Sequence, residues 1–339
     1  MLIHKIVDLN KEKEPLILAD MDIPVPGDHD IVLKVSTCGV CHTELDEIEG
    51  RTPPPTLPVI PGHQVVGYVT ESGQHVTRFK RGDRAGVAWI FSACGKCEFC
   101  LNGLDNLCHE FQATGRDANG GYAEFMKIHE DFAYPIPAFF SDAEAAPLFC
   151  AGAIGYRSLN LTGLRNGQSL GLTGFGASAH LVLKLAKHMF PDSPVYVYAR
   201  SEKERSFAID LGAEWAGDTG EIAPDQMNAI IDTTPVWYPI IASMENLKPG
   251  GRLVINAIRK EDLDKKQLMS LDYPRHLWME KEIKSVANVA KKDVVEFLEI
   301  AANAGIKPQV QQYSLVEANQ ALVELKERKI RGAKVLNLS

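Results

Sequence analysis

The sequence predicts an α/β fold with two domains, one built mainly from short strands and one from a doubly wound parallel sheet. Up to about residue 150, β-branched runs alternate with turns rich in Gly and Pro, which is typical of an irregular β barrel or sandwich. Beyond that point, buried-type strands alternate with helical spacing, which is typical of a parallel sheet covered by helices. The length of 339 residues also favours two domains, because domains commonly hold ~100–200 residues.

Apolar spacing predicts the individual elements in chain order. In the first part, β-branched runs predict strands at 31–35, 65–69 and 84–88. In the second part, the pattern predicts strands at 169–173, 195–198, 229–231, 253–255 and 283–289, and helices at 179–189 and 202–211. The end of the chain predicts a helix at 293–304, a strand at 309–313, a helix at 316–328 and a strand at 335–338.

The charge balance limits the classes of partner. The net charge is -8 at pH 7, and no block of like charge is longer than a few residues. Nucleic acids and anionic membranes select basic faces, so neither is expected as the main partner. No run of about 18 apolar residues predicts a membrane span.

The interpretation of the cysteine residues depends on the cellular compartment of the protein. The opening segment, MLIHKIVDLNKEKEP, lacks the basic stretch and apolar stretch of a secretory signal. We therefore expect a cytoplasmic protein, and disulfides are rare in that reducing environment. Metal binding or catalysis is then the better interpretation of the seven cysteines.

Four of the cysteines lie in one short segment, at Cys94, Cys97, Cys100 and Cys108. The two C-x-x-C steps allow short loops to aim three thiolates at one point, and the fourth returns after a small excursion. Zinc prefers tetrahedral coordination, so four cysteines would close its coordination sphere and hold a structural ion. An iron–sulfur cluster and a coincidental group of free thiols are the alternatives.

A second metal site could be formed by Cys41, His63 and Cys150, which are far apart in the sequence. Two cysteines and one histidine form a known catalytic zinc set, whose fourth position stays free for substrate. Such an ion polarises a carbonyl or lowers the pKa of a bound alcohol. Cys38 is the competing thiol, and with Cys41 it could instead form a redox pair or half of a zinc ribbon. Taken singly, Cys150 could be a core thiol and His63 a hydrogen-bonded loop histidine.

A glycine-rich turn follows the first strand of the second part. Gly174, Gly176 and Ala179 fit the pattern G-x-G-x-x-G/A between a predicted strand and a predicted helix. The first glycine allows a tight turn, the second lets the backbone approach a pyrophosphate, and the third small residue lets helix pack on strand. The segment therefore predicts a dinucleotide site.

The end of the next strand bears on the choice of cofactor. Between Tyr198 and Ser201 no carboxylate is present to hold the ribose 2′-hydroxyl of NAD. Arg200 and Ser201 could instead bind a 2′-phosphate, which predicts NADP(H) rather than NAD(H). The alternative is that Arg200 is only a solvated surface charge.

Together these motifs resemble those of the zinc-dependent alcohol dehydrogenases of the medium-chain dehydrogenase/reductase family. The resemblance covers essentially the whole chain and rests on four segments in the family's order, at 38–43, 62–67, 94–108 and 146–152. It implies a GroES-like β catalytic domain, a Rossmann coenzyme domain with a doubly wound parallel sheet, and a return of the chain to the catalytic domain, at 1–150, 151–287 and 288–339 respectively.

The resemblance also implies roles for the metal-binding candidates. Cys41, His63 and Cys150 would hold the catalytic zinc, with Cys38 as a neighbour outside the ligand set. Glu44 stands where the family has an aspartate that orients the ligand histidine. The four-cysteine segment would hold the second, structural zinc.

Residues next to the ligands carry further implied roles, and some depart from the family pattern. Thr43 would hydrogen-bond the substrate oxygen and start a proton relay, and His42 would lie near the cofactor phosphates. Asp46 stands where many relatives carry the relay histidine, so it could pass the proton with a pKa of its own. Gln64 replaces a glutamate of the zinc signature, and Ile154 replaces a hydroxyl residue beside the nicotinamide.

The function implied by the resemblance is hydride transfer between NADP(H) and a small primary alcohol or aldehyde, with two zinc ions per chain. The alternatives are an NAD-dependent polyol or alcohol dehydrogenase, a zinc-free quinone or enoyl reductase, and a non-enzymatic zinc protein. Relatives form dimers or tetramers, so a homo-oligomer is expected by analogy. Aromatic and apolar residues could line an apolar substrate pocket, or could equally be ordinary packing: Trp89, Ile90, Phe91, Trp237 and Trp278.

Overall fold

The computed structural model describes residues 1–329 and 332–338. The chain divides into two compact units. Unit 1 consists of Met1–Ala153 and the described residues from Asn288 onward, and unit 2 is the continuous segment Ile154–Ala287. The segment expected at 288–339 therefore extends past the described residues at Ser339.

The described residues form strands and helices in the following order. The strands are β1 Leu2–Ile3, β2 Leu16–Ile17, β3 Asp30–Val40, β4 Val65–Ser72, β5 Arg84–Val87, β6 Ile90–Ser92, β7 Gln112–Ala113, β8 Phe125–His129, β9 Ala133–Pro135, β10 Leu170–Thr173, β11 Val195–Tyr198, β12 Trp215–Gly217, β13 Met227–Asp232, β14 Leu247–Ile255, β15 Glu282–Ser285, β16 Val310–Ser314 and β17 Ala333–Asn337. The helices are α1 His42–Ile48, α2 Glu98–Leu101, α3 Asp142–Ala145, α4 Ala151–Thr162, α5 Ala177–Met189, α6 Glu202–Asp210, α7 Tyr238–Glu245, α8 Lys291–Asn303 and α9 Ala318–Lys326.

Short helical turns complete the secondary structure. Short 3-10 helices lie at Asp105–Leu107, Glu130–Phe132, Ala146–Phe149, Lys265–Ser270 and Leu315–Glu317, and a π turn lies at Tyr273–Leu277. Within the described ranges, no helix is long and apolar enough to cross a membrane.

Unit 1 is built on a mostly antiparallel sheet, and the β-branched runs predicted its short strands but not their pairing. Its strand order is β16-β17-β3-β4-β5-β9, and β8 also pairs with β3. The last strand of the described residues, β17, pairs antiparallel with β3 and places Leu336 opposite Cys38. Apolar residues from both ends of the chain share one core, for example Leu33 and Val65 with Leu322. The C-terminal stretch is therefore an integral part of the β unit.

Unit 2 is a six-stranded parallel sheet with the order β12-β11-β10-β13-β14-β15. The first strand, β10, lies inside the sheet, and the chain continues to one side of it and then to the other. The strand order thus reverses beside β10. In such sheets ligands bind outside the carboxyl ends of the strands at this switch point. The predicted doubly wound sheet is confirmed.

The observed bounds of several predicted elements differ from the expected ones, as two strands illustrate. The strand expected at 283–289 ends at Ser285, because Asn288 adopts a left-handed backbone with φ 51° and the chain then enters α8. The strand expected at 31–35 continues to Val40, because β17 and β4 both pair with residues beyond Val35. The longer strand leads directly to Cys41 at the start of α1.

Candidate functional site

Three residues from distant parts of the sequence meet in unit 1. Cys41 is the N-cap of α1, His63 precedes β4, and Cys150 follows the 3-10 turn before α4. One ligand atom from each lies within 4.8 Å of the others, and Sγ of Cys41 lies 3.7 Å from Nε2 of His63. The structure thus brings together the three residues that the sequence analysis groups as an open metal site.

Glu44 connects two of these residues. Its Oε1 lies 2.6 Å from Nδ1 of His63, and its Oε2 accepts a hydrogen bond from the backbone amide of Cys41 at 2.8 Å. Burial acts to lower the pKa of His63, but the charges of Glu44 and Cys41 outweigh it and raise that pKa well above its ordinary value. The contact at Nδ1 leaves Nε2 of His63 facing the cysteine, as in carboxylate–histidine–metal arrangements.

The donor set fits a zinc ion. Two thiols and one imidazole are the soft and borderline ligands that zinc accepts, and three protein ligands leave a fourth position open. The hydrogen bond with Cys150 and then burial raise the pKa of Cys41 well above its ordinary value in the metal-free protein. A bound divalent cation would supply the positive charge that this buried thiol lacks.

Cys38 and Gln64 lie close to candidate ligands in the sequence but are not part of the ligand set. Cys38 is fully buried, and its Sγ lies so close to Gly62 that a Cβ added there would sit 2.8 Å away. Gln64 is also buried, its side chain covers Gly39, and its Nε2 has no hydrogen-bond partner among the described residues. A neutral amide, rather than a carboxylate, therefore follows the candidate ligand His63 in the sequence.

The predicted proton-relay residues lie on α1. Thr43 and Asp46 are both buried, and Asp46 lies three positions after Thr43, which places them on neighbouring positions of one helix face. Arg51 donates from Nε to Oδ1 of Asp46 at 2.5 Å and from Nη1 to Glu49 at 2.8 Å. Asp46 is thus held in an ion pair, whereas His42, at the start of the helix, is exposed.

The four-cysteine segment forms a compact loop around α2. The four Sγ atoms lie within 4.8 Å of one another, and those of Cys94 and Cys100 are 3.9 Å apart. Backbone amides of Lys96 and Cys97 lower the pKa of Cys94 to about 6, which favours its thiolate. Asp105 in the same loop accepts a hydrogen bond from the backbone amide of Lys291 at 3.1 Å. This bond connects the loop to the start of α8. The closed four-sulfur set fits a structural zinc ion.

The glycine-rich turn has the geometry that a pyrophosphate requires. Gly174 has φ 76°, a left-handed conformation, and a Cβ there would lie 2.9 Å from Oγ1 of Thr233. A Cβ on Gly176, the N-cap of α5, would meet no atom within 4 Å, so the backbone there faces open space. Ala179 is fully buried. A dinucleotide therefore fits this turn, because its phosphates can approach exposed amides at a helix N-terminus.

The residues predicted to hold a 2′-phosphate follow β11. Arg200 and Ser201 are both exposed. The Ser201 hydroxyl accepts from the backbone amide of Glu204 at 3.2 Å and so caps α6. Arg205 donates from Nη1 to the carbonyl oxygens of Ala199 and Arg200, at 2.8 and 2.9 Å, and so stiffens the turn. The backbone that carries the Arg200 side chain is therefore held by hydrogen bonds from Arg205 and by the Ser201 cap.

A buried ion pair below the glycine turn was not expected from the sequence. Asp232 at the end of β13 is fully buried and accepts from Oγ1 of Thr173 at 2.6 Å, and Lys260 pairs with its other oxygen. Lys260 also donates to the carbonyl oxygen of Thr234 at 2.6 Å. No sequence signal relates Lys260 to Asp232, because the lysine lies in an irregular loop that has no periodicity.

Sequence reasoning also missed Glu47 on α1. This residue is 1% exposed, and both carboxylate oxygens lack a hydrogen-bond partner in the described part of the chain. The signal that could have found it is its position four residues after Thr43, which places both side chains on the same face of the helix.

Comparisons with known proteins agree with this geometry. Residues 27–138 match the family model described as the alcohol dehydrogenase GroES-like domain. A probable alcohol dehydrogenase of Mycobacterium tuberculosis is 39% identical, over 95% of this chain and 92% of its own length. A probable cinnamyl alcohol dehydrogenase of Populus deltoides is 32% identical, over 92% and 89%. Among solved structures, a cinnamyl alcohol dehydrogenase of Sorghum bicolor superposes with a TM-score of 0.81 at 27% identity, covering 94% of this chain and 92% of that one.

Proposed function

The chain belongs to the zinc-type, medium-chain alcohol dehydrogenases, and from that membership we propose that it transfers hydride between NADP(H) and a primary alcohol or aldehyde. The protein is an alcohol oxidoreductase that acts on a small molecule. The cofactor, the primary alcohol and the presence of two zinc ions are the parts that we propose.

The observation that carries the proposal is the convergence of Cys41, His63 and Cys150 in one three-ligand set, in which His63 is buried and the two cysteines are partly buried. When bound there, zinc supplies a Lewis acid at its fourth position, and the nicotinamide supplies the hydride donor or acceptor. Glu44 holds the ring of His63 through Nδ1, so that Nε2 stays directed at the metal position. The closed four-cysteine set holds the second zinc and stabilises its loop.

The residues of α1 handle the proton. In the oxidation direction, Oγ1 of Thr43 accepts the proton of the substrate hydroxyl, and in the reduction direction it returns the proton. Asp46 lies next along the helix face and receives the proton from Thr43. Arg51 holds the Asp46 carboxylate in place through the hydrogen bond from its Nε. General acid–base transfer of this kind contributes about 10²–10⁴-fold to rate.

The preference for NADP(H) is supported by the end of β11. An exposed guanidinium at Arg200 follows the strand, and the backbone between Tyr198 and Ser201 carries no carboxylate side chain. Arg–phosphate contacts are charge-assisted and frequently bidentate, so they distinguish a 2′-phosphate from a 2′-hydroxyl. His42 is proposed to face the cofactor phosphates.

We also propose that the chain forms a homo-oligomer. Its smallest unit is a dimer in which two copies pair through the edge strand β15. β15 ends the parallel sheet, and its four residues are exposed. An edge strand offers unpaired backbone groups to another copy. Ile283 is 40% exposed and the neighbouring Trp278 is 56% exposed, so apolar surface accompanies that edge.

The alternatives are less well supported. A zinc-free quinone or enoyl reductase would have no use for the three-ligand set, and family membership excludes a non-enzymatic zinc protein. An NAD-dependent polyol or alcohol dehydrogenase needs the same metal set, but no carboxylate lies between Tyr198 and Ser201 to hold the ribose 2′-hydroxyl of NAD.

Metal analysis combined with an NADPH-linked assay over a panel of aldehydes tests the proposal. We expect two zinc ions per chain and turnover of at least one aldehyde. Cys41→Ser should lose one zinc ion and most of the activity, and Cys38→Ala, at the buried neighbouring thiol, should keep both ions. A Cys41→Ser protein with full zinc content and full activity would contradict the proposal.

A further inference from the structure

One buried acid has no role in the chemistry described so far. Glu47 lies on α1, one helical turn beyond Thr43, and its carboxyl group is buried with neither oxygen hydrogen-bonded in the described ranges. Buried polar groups in native proteins almost always have partners, so an unpaired carboxyl indicates a partner that comes from outside the chain. Its place on the same helix face as Thr43 puts that partner near the reacting oxygen.

The surroundings favour the neutral form of this acid. Burial raises the pKa of Glu47 well above its ordinary value, and the charges of Glu44 and Asp46 raise it further. The charges of His63 and Arg116 oppose that rise without cancelling it. A protonated carboxyl has one donor and a free acceptor, which matches the donor and acceptor of a hydroxyl group.

Glu47 does not belong to the metal ligands. The ligand set of the described residues contains Cys41, His63 and Cys150 and does not include this carboxyl. Glu47 is nevertheless close enough to His63 for the two charges to interact. A group beside the metal position, but outside the ligand set, is suited to contact the part of a substrate that does not react.

Polar groups are also present on two residues outside α1, Arg116 and Trp89. Arg116 interacts with the charge of Glu47, and its guanidinium lies 5.5 Å from the ring centroid of Trp89 and 2.7 Å from Asp117. Trp89 is buried, and its Nε1 has no hydrogen-bond partner among the described residues. Trp89, one of the residues that the sequence offers for an apolar substrate pocket, therefore carries an unpaired polar group as Glu47 does.

We propose that Glu47 hydrogen-bonds a second hydroxyl group of the substrate, so that the enzyme prefers diols and hydroxyaldehydes to alcohols with a single polar group. This inference rests on the proposed function and narrows its substrate class. A substrate carboxylate is disfavoured because Glu44 and Asp46 are acidic neighbours. A purely apolar chain would leave the Glu47 carboxyl unpaired, and an unpaired buried group discriminates strongly between otherwise similar ligands.

Matched substrates test the proposal on the zinc-loaded protein. The panel is butan-1-ol, butane-1,3-diol and butane-1,4-diol, which share a chain length and a reacting hydroxyl. We expect kcat/KM for the better diol to exceed that for butan-1-ol by about tenfold to a hundredfold, mainly through KM. Calorimetric titration of the zinc-loaded protein without cofactor should show tighter binding of that diol.

Two variants and a control identify the residue responsible. Glu47→Leu should remove the diol preference and improve turnover of butan-1-ol, and Glu47→Gln, which keeps a donor and an acceptor, should retain most of the preference. Glu299→Leu makes the same change at an exposed position of α8 and should alter neither substrate ratio nor binding. Thermal unfolding should show no loss of stability in Glu47→Leu, because the removed carboxyl had no partner.

Failure of this inference differs from failure of the proposed function. If the wild type oxidises butan-1-ol and the diols with equal kcat/KM, or if Glu47→Leu lowers all three equally, Glu47 does not select a second hydroxyl although the enzyme is an alcohol dehydrogenase. If no alcohol or aldehyde is turned over with either nicotinamide cofactor, the proposed function itself is wrong.

Discussion

Oε1 of Glu44 lies 2.6 Å from Nδ1 of His63, and both side chains are almost completely shielded from solvent. The contact fixes which ring nitrogen faces the metal position. Because such outer carboxylates raise the basicity of the ligand histidine, Glu44→Gln should weaken zinc affinity at this site by about 10–100-fold. The measurement is zinc content after a graded chelator challenge, in which one of two ions should leave earlier.

A second glutamate–histidine pair provides the control for that experiment. Glu130 lies 3.2 Å from Nδ1 of His29, well outside the metal sets. Glu130→Gln makes the same chemical change and should release both zinc ions at the wild-type chelator concentration. Equal zinc loss in the two variants would show that the Glu44 contact has no special role.

The two glycines of the dinucleotide turn should respond differently to alanine. Gly174→Ala should destabilise the fold by about 1–2 kcal/mol, because φ is 76° and a left-handed backbone is costly for residues with a Cβ. Gly176→Ala should leave thermal unfolding unchanged, because a Cβ meets no protein atom there, but should raise KM for NADPH at least about tenfold by filling the phosphate space. Unchanged cofactor binding in Gly176→Ala would place the pyrophosphate elsewhere.

The proposed 2′-phosphate contact predicts a shift in cofactor preference. Arg200→Ala should raise KM for NADPH by about 10–100-fold and change KM for NADH little, because a charge-assisted hydrogen bond contributes about 1.5–3 kcal/mol. Lys203→Ala, at an exposed lysine in the first turn of α6, is the matched control. A clear preference of the wild-type protein for NADH would contradict the proposed contact between Arg200 and the 2′-phosphate.

Glu130 also predicts how stability depends on pH. Burial acts to raise its pKa, but hydrogen bonds from the backbone amides of Arg78 and Thr77 and from His29 outweigh it and lower the pKa to about 2. Since the folded pKa lies below the unfolded one, this carboxylate stabilises the fold above about pH 4.5, and the stabilisation is lost as pH falls toward 2. The free energies of unfolding of wild type and Glu130→Gln, measured in urea, should therefore differ most near neutral pH and become equal in acid. A constant difference across that range would contradict the assignment.

Much of the fold follows from local patterns in the sequence. The alternation of strands and helices predicts the parallel sheet of unit 2, because each of these elements has its own apolar period. The strand expected at 283–289 was too long, since the apolar run does not reveal that Asn288 turns the backbone. The antiparallel sheet of unit 1 was predicted only in outline, because irregular strands depend on pairing between distant segments such as β3 and β17.

The candidate site was predicted in part. The spacing of Cys94 to Cys108 is local, so it identifies a cluster without help from the fold. The meeting of Cys41 with His63 and Cys150 was expected from the family resemblance, because spacing alone cannot bring distant residues together. Glu47 was missed, since helical periodicity shows which residues share a face but does not show that a buried carboxyl lacks a partner.

The pairing of β17 with β3 has a consequence for how the protein is made. β3 ends at the turn into Cys41 and has β17 along one edge. Because the whole of Ile154–Ala287 lies between these two strands in the sequence, the sheet that supports the first thiol cannot close until β17 has been synthesised. The continuous segment Ile154–Ala287 has all its strands available before then. Metal capture at the three-ligand set is therefore expected only after β17 has left the ribosome, and nascent chains arrested before β17 should retain no zinc there.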